Sequence, residues 1–523
     1  MTTMHTLSSN MIKHAGPTVS IWMKTGEMPA RGPLRQNASA DVVIVGGGIA
    51  GLTTAYFLAG RNKSVIVLDD GPLGGGETER SSAHLATALD RRYHEIERLH
   101  GIEEARIAAE SHSAAIRAIE VICEQENIAC DFTRLDGWLY APYGESSDEI
   151  DREFTACQRA GLTAIERHER VPGLGFETGA CLRFPNQARF HPIKYLEGLL
   201  LAAERKGVRV FTGTHVNKIE GGKMRQAEDG GDDGKPGHVH TTSGHIVTAK
   251  AIVVATNTPV NDVLTIHTKQ AAYRSYVVGM EIARGAALDA LLWDTLDPFH
   301  YVRISPGEDM DILIVGGEDH KTGQDDDITS RHLRLEDWAR ARFPVTTTRY
   351  RWSGQVMNST DGLGFIGRNP GDHDNVFIAT GDSGNGLTNG TIAGLLLADL
   401  IACVENRWEK VYDPSRLPGG KDFVKETVNM VAQFADWVKP GDVARAEDIP
   451  RGEGAVVRRG LSLVAIYCAE DGSHIECSAV CPHLGAAVRW NSLEHTWDCP
   501  AHGSRFTPTG EPIGGPAITG LNR

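Results

Sequence analysis

Near the C-terminal end of this 523-residue chain, residues 481–506 read CPHLGAAVRWNSLEHTWDCPAHGSRF. Cys481 and His483 form a C-x-H pair, and after fifteen intervening residues Cys499 and His502 form a C-x-x-H pair. A glycine trails each pair, so each reads as a tight loop at a hairpin tip. Two thiolates and two neutral imidazoles, one of each per loop, suit an asymmetric 2Fe–2S centre in which sulfur holds one iron and nitrogen the other. A structural zinc ion takes the same four donors, so the donor count leaves both metals open. In either case the fold must bring two hairpin tips together. The runs AVVRRG, LSLVAIY and HIECSAV just upstream supply short strands. A small all-β domain of about 80 residues follows, with the metal part of its stability.

The flanking residues narrow the choice. His-Leu-Gly closes the first loop and His-Gly-Ser-Arg-Phe the second, and a Gly-Gly-Pro-Ala run occupies 514–517. In these features the stretch resembles the Rieske family, which implies Cys481, His483, Cys499 and His502 as ligands of a 2Fe–2S cluster beneath a proline loop. High-potential members carry one more cysteine in each loop, joined as a disulfide; here those positions are Ala486 and Ala501. Such members also use a serine and a tyrosine hydroxyl toward cluster sulfur. Ser504 matches the first, but Phe506 stands at the second. Fewer hydrogen bonds to sulfur stabilise the reduced cluster less, so a low potential within the Rieske range is expected.

The other end of the chain reads DVVIVGGGIAGLTTAYFLAG over 41–60. An apolar strand runs into Gly46-x-Gly48-x-x-Gly51 and a small-residue helix, and a second strand, Val65–Leu68, ends on Asp69. This is the context that makes the glycine pattern a dinucleotide site. Gly46 makes the turn, Gly48 admits a pyrophosphate, Gly51 lets helix and strand pack, and Asp69 would bind ribose hydroxyls. The pattern alone does not separate NAD from FAD. Three further stretches bear on that: GVRVFTGTHVNKIE (207–220), read as a strand pair, AIVVATNTPV (251–260), and NVFIATGDSGNGLTNGTIAGLLLADLI (375–401). Together with RFHPIKYLEGLLLAAERKG (189–207) and RWSGQVMNSTDGLGFIG (351–367), they resemble the D-amino-acid-oxidase-like flavoproteins, which include glycine and sarcosine oxidases. The resemblance implies FAD along Gly46, Gly48, Gly51 and Asp69, with Val216 near the adenine and Ala255 and Thr256 at a strand end beside it. It places Arg80, Ser81 and Ser82 on one side of the flavin ring and Gly384, Gly386, Leu387 and Thr388 on the other.

In that family the insertions, here about 90–186 and 266–350, form a sheet that roofs the flavin. Hydride transfer needs position and electrostatics rather than a nucleophile, so the catalytic candidates are polar residues of the roof. HYVRI (300–304) alternates, with Tyr301 and Arg303 on one face. GGEDHKTG (316–323) reads as a turn carrying His320 and Lys321, and RSSAHL (80–85) carries His84. Each has a plainer reading: solvated strand residues, turn decoration and a satisfied core histidine.

The fold class expected is an α/β FAD-binding dinucleotide fold with a mixed-sheet substrate domain, plus a small all-β Rieske domain. The boundaries read as a leader over 1–37 strapped on through Trp22, the flavoprotein unit over 38–405, a Pro/Gly/charge-rich linker over 406–440, and the cluster domain over 441–523. GGKMRQAEDGGDDGKPGHVH (221–240) reads as a surface loop. The formal charge of −15 argues against nucleic acid as a partner, and no apolar run is long enough to span a bilayer. Seven cysteines beyond the cluster pair lack framework spacing, which favours a reducing cytoplasm. The functional expectation is a dehydrogenase. A small amine or amino acid reduces FAD, which passes electrons singly to the cluster and on to a ferredoxin, quinone or oxygenase. The alternative is an electron-transfer reductase feeding a partner oxygenase, with no amine substrate of its own.

Overall fold

Val42–Val45 and Val65–Leu68 are almost wholly buried, which requires a sheet covered on both faces and parallel neighbours. The computed structural model, which describes residues 18–224, 234–261, 265–324, 327–417, 428–429, 433 and 440–523, has that sheet. Ala38–Val45 lies between Ile246–Val254 and Val65–Leu68, all parallel, with Val43 opposite both Ile252 and Ile66. Val376–Thr380 and Arg209–Phe211 extend it on either side. The expected strand pair over 207–220 does not form. Arg209–Phe211 pairs with Val65–Leu68, whereas Val216–Glu220 pairs with Gly237–Thr241, since the intervening turn carries the chain across the sheet.

Helix Ile49–Gly60 follows the first strand and packs on helix Gly386–Ile401. The glycines of the second helix make that contact close. A Cβ on Gly394 would lie 2.4 Å from Thr53 Cγ2, and one on Gly390 would lie 2.7 Å from Ile49 Cγ2.

The roof is a nine-stranded mixed sheet. Its main path runs Val345–Ser359, Gln270–Ala283, Met310–Lys321, His300–Ser305, Leu291–Asp294, Thr133–Pro142, Thr178–Arg189 and His84–Leu85. The segment read as a turn at 316–323 is strand as far as Lys321: positive φ at Gly317 and Glu318 bends the chain without ending the pairing. Helices Tyr93–His100, Ile102–Glu126 and Asp148–Arg159 belong to the first insertion.

The C-terminal part holds two small antiparallel sheets, 454–478 and 489–514. The linker lies largely outside the described residues, as do residues 225–233 of the 221–240 loop, whose end joins strand Gly237–Thr241. At the other end Trp22 is buried, donating Nε1–H to the Ser81 carbonyl at 2.8 Å, and Ser20 Oγ–H donates to Glu79 O at 2.6 Å. Among the described residues no helix is long and apolar enough to cross a membrane.

Candidate flavin cavity and metal centre

The first strand ends in a turn that only glycine can make. Gly46 has φ +105°, and a Cβ there would lie 2.4 Å from the Ala255 carbonyl oxygen; one on Gly51 would lie 1.9 Å from Gly46 O. Gly48 caps the following helix with no side-chain hydrogen bond, which leaves helix-terminal N–H groups and the dipole facing outward, as an anion requires. Asp69 accepts from Gly47 N at 2.6 Å and Gly71 N at 2.8 Å. Burial, with Asp70 beside it, pushes its carboxyl up to about 7. Gly46, Gly48, Asp69, Val216, Ala255 and Thr256 line one cavity of about 200 Å³. Gly51 lies behind it, under the helix.

A second cavity of about 600 Å³ adjoins the first, Ala255, Asn257, Glu77 and Gln355 lining both. Arg80, Ser81, Ser82, His84, Tyr301, Gly384, Gly386 and Leu387 all line it. The glycine cradle and the room beyond it fit FAD: the first cavity would take the nucleotide and the second the ring. Other expected residues sit elsewhere. Thr388 is inside the helix packing, its hydroxyl 2.8 Å from His112 Nδ1. Arg303 points away from the cavity. Its guanidinium donates to Ala83 O and Phe190 O and lies over Trp22, and burial with Arg189 nearby draws it down to about 9. It is a buried strut, neither solvated nor catalytic in position. His320 bonds Tyr276 Oη and the Lys321 carbonyl, stacked on Tyr276, and Lys321 lies over Tyr273. Strand alternation turns His320 from the cavity and Asp319 into it, and Lys321, two residues on, falls outside the lining.

His84 and Tyr301 remain. Burial, and Arg303 beside it, pull His84 down to about 3, so it is a neutral ring 5.6 Å from Tyr301, bonded to Ser82 Oγ at 2.9 Å. Tyr301 Oη is 2.9 Å from Ser275 Oγ, and burial raises its phenol. What residue-type reasoning passed over is acidic. Glu77, Asp90, Asp297, Asp319 and Asp382 line the larger cavity. Burial pushes Asp90 and Asp382 up to about 7 and Asp319 up to about 6.

In the C-terminal domain Cys481, Cys499 and His502 are buried, and the His483 and His502 rings meet perpendicularly at 5.0 Å. The two thiols share a hydrogen bond that draws Cys481 down to about 7 and pushes Cys499 up; burial keeps His502 neutral, near 3. Two thiols and two imidazoles, drawn from two adjoining loops, are the donor set of a two-iron cluster. Gly515, with φ +90°, lies against Ser504, whose Oγ accepts from Ala517 N at 3.2 Å. The Gly-Gly-Pro-Ala run thus braces the second loop, and Pro512–Gly515, Ala517 and Ile518 also wall the nucleotide cavity.

The two halves are locked together. Gln355 Nε2–H donates to Gly503 O at 3.0 Å, and a Cβ on Gly503 would lie 2.3 Å from Ala272 Cβ. His267 of the flavin unit meets His483 at 4.8 Å and His502 at 5.8 Å, ring to ring. Glu494, fully buried, accepts from Arg274 at 3.1 Å and Thr18 at 2.7 Å, lies 3.7 Å from Arg80, and pairs with Ser353 Oγ. Arg80, Arg274 and Arg505 hold its carboxyl near 2 against burial. The sequence offered no local sign of Glu494, Gln355 or His267, because each works on a partner far along the chain.

These features define a flavin-dependent oxidoreductase carrying an iron–sulfur domain. The chain belongs to the FAD dependent oxidoreductase (DAO) family, whose model matches residues 41–400, and the Rieske 2Fe–2S domain model matches 439–523. It is 29% identical over 508 residues to the Rieske-type protein YhfW of Bacillus subtilis, covering 96% of each chain. To the gamma-glutamylputrescine oxidoreductase of Escherichia coli it is 24% identical, across 74% of this chain and 90% of that one. The crystal structure of glycine oxidase from Geobacillus kaustophilus shares the fold, with TM-score 0.59 at 20% identity over 73% of this chain and all of that one. The cofactors of the two families are FAD and a 2Fe–2S cluster.

Proposed function

We propose that this chain is a dehydrogenase of a small amine or amino acid that sends its electrons, singly and within one chain, to a low-potential Rieske cluster. From there they pass to a one-electron acceptor such as a ferredoxin, quinone or oxygenase. One observation carries the reading: Gln355 lines both flavin cavities and hydrogen-bonds the loop that holds Cys499 and His502. A flavin wall that is also a cluster-loop contact is what short-range electron transfer requires.

When bound, FAD supplies the hydride acceptor and then a source of single electrons. The substrate ammonium gives up a hydride from carbon and a proton from nitrogen, leaving an iminium ion that water hydrolyses to a carbonyl compound and ammonium. Gly46, Gly48 and the helix terminus behind them would hold the pyrophosphate, and Asp69 the ribose side. Trp293, Phe299 and Tyr301 would keep water from the reacting carbon. Relatives named for glycine and for gamma-glutamylputrescine support an amine substrate. Alanines at 486 and 501 and phenylalanine at 506 support the low potential. Among the described cysteines all are unpaired, in keeping with a cytoplasmic site of action.

Anaerobic rapid mixing with an amine and amino-acid panel tests this. Flavin bleaching should be followed by a cluster EPR signal at a rate independent of protein concentration. A rate proportional to concentration would place transfer between chains. Rapid stoichiometric peroxide in air would make the protein an oxidase, and a midpoint above about +200 mV would remove the low-potential assignment.

A further inference from the structure

The larger cavity has a charge imbalance that the dehydrogenase reading leaves unused. Its lining includes five carboxylates, from Glu77, Asp90, Asp297, Asp319 and Asp382, and two guanidinium residues, Arg80 and Arg91. Neither arginine belongs to the roof. Arg80 is committed to Thr18, the Ser353 carbonyl and Glu494. Arg91 acts electrostatically on Glu95, on the surface helix beyond the cavity. The roof lining, from Ser275 to Ser359, contains no lysine or arginine among the described residues. An α-amino acid would bring a carboxylate against these groups.

Two of the five acids are already engaged. Glu77 accepts from Gln355 N at 2.6 Å, and Asp382 takes backbone hydrogen bonds from Met357 and Gly384. Asp90, Asp297 and Asp319 repel one another, Asp319 raising Asp90 and Asp297 raising Asp319, and Arg92 near the first and Arg331 with the Ser275 hydroxyl near the last do not offset their burial. Asp319 Oδ1 is buried with no hydrogen-bond partner among the described residues. Asp297 is exposed at the mouth.

An independent observation points to the same ligand. Three aromatic rings line the roof beside these acids. Trp293 and Tyr301 flank His84 at 5.7 and 5.6 Å, and Phe299 meets Tyr301 at 6.0 Å. Aromatic faces with carboxylates between them bind cations, the rings through their quadrupoles and the acids through charge. Small neutral or anionic amines gain nothing from such a lining.

We propose that the substrate is an aliphatic di- or polyamine, held by Asp319 and Asp90 at the reacting ammonium end and by Asp297 at a second cationic group near the mouth. This rests on the dehydrogenase reading and deepens it. Length sets the fit: the cavity of about 600 Å³ accommodates the flavin ring with a chain of a few methylenes beside it.

The test uses the full-length FAD-loaded protein. Anaerobic flavin bleaching is measured with 1,4-diaminobutane and spermidine against butylamine, glycine, sarcosine and D-alanine. Binding of hexamethonium, a dication that cannot form an imine, is read separately from the thermal midpoint and the flavin spectrum. We expect the diamines to exceed butylamine and every amino acid by at least ~10-fold in kcat/KM. We expect hexamethonium to bind, and Asp319→Asn or Asp297→Asn to weaken it ~10-fold with FAD content retained. The mouth variant serves if Asp319→Asn fails to fold. Faster bleaching by a carboxylate-bearing amine, abolished by Arg91→Gln, would overturn this inference and leave the dehydrogenase standing. If no amine bleaches the flavin while hexamethonium binds in an Asp297-dependent way, the cation site stands and the dehydrogenase reading fails. If neither bleaching by diamines nor hexamethonium binding occurs, the inference is overturned.

Discussion

The wall formed by Ser353–Gln355 has opposite electrostatics on its two sides. On the cluster side the buried carboxylates Glu494 and Asp498 sit among Arg80, Arg274 and Arg505. On the flavin side several carboxylates crowd a cavity whose roof lining, among the described residues, brings no lysine or arginine. The same residue type therefore does two jobs. Glu494 is held near 2 by the guanidinium groups around it and hydrogen-bonds Arg274, Thr18 and Ser353, so it fastens one domain to the other. Asp90 and Asp319 are pushed up to about 7 and 6, because burial outweighs what Arg92 and Arg331 near them supply. A buried charge with partners marks a joint, and one without them marks a place for a ligand.

The comparison is broken most completely by removing what the joint positions. Cys499→Ser should abolish the cluster EPR signal and all reduction of an external acceptor, while amine-driven flavin bleaching continues. Acceptor reduction that survives the loss of iron would show that electrons leave by another route. Next in size is the joint itself. Glu494→Ala leaves Arg80 and Arg274 buried around a missing partner, while Arg505 keeps Asp498, a change of about 3–5 kcal/mol. The thermal midpoint should fall accordingly, and FAD should wash out more easily, because Pro512–Gly515, Ala517 and Ile518 wall the nucleotide cavity. A shift no larger than that of a surface glutamate would mean that Glu494 is not a fastener.

Sequence made the two ends of this arrangement legible and left its middle dark. The cluster ligands fall within one stretch of 22 residues, 481–502, and the pyrophosphate turn within six, 46–51. Local spacing therefore specifies both. The wall between them is built from Arg80, Gln355, Glu494 and Gly503, whose meeting depends on the packing of whole sheets. Around the substrate, attention to cationic and imidazole side chains favoured Arg303, His320 and Lys321. Alternation alone would have paired Asp319 opposite His320, but reading 316–323 as a turn discarded the alternation. The positive φ of Gly317 and Glu318 bends that strand without ending it, and no residue-type rule announces a bulge at a glutamate.

A smaller effect is expected where the two sides touch. Gln355→Leu removes the hydrogen bond to Gly503 O and keeps the bulk. Flavin-to-cluster transfer should slow by ~10-fold, the scale of one lost buried hydrogen bond, with the substrate half-reaction within ~2-fold. Equal slowing of both steps would assign Gln355 to the substrate and not to the path.

The finest distinction is in pH. Asp90, Asp319 and Asp382 have folded-state values above the ordinary carboxyl value. The folded protein then binds more protons than the unfolded chain between about pH 4 and 7, so their contribution is present at the acid end and is lost as pH rises through that window. Glu494 lies below its ordinary value, so its contribution is present above about pH 4 and is lost as pH falls toward 2. The two sides of the wall thus tilt the stability profile in opposite directions. Thermal midpoints of the FAD-loaded protein from about pH 3 to 8 should show Asp319→Asn flattening the neutral limb and Glu494→Gln the acid limb. Hexamethonium should flatten the neutral limb of the wild type too, since a bound dication lets these carboxyls ionise without penalty. A neutral limb unchanged by either Asp319→Asn or the dication would mean that the cavity acids are already matched, and the contrast across the wall would disappear.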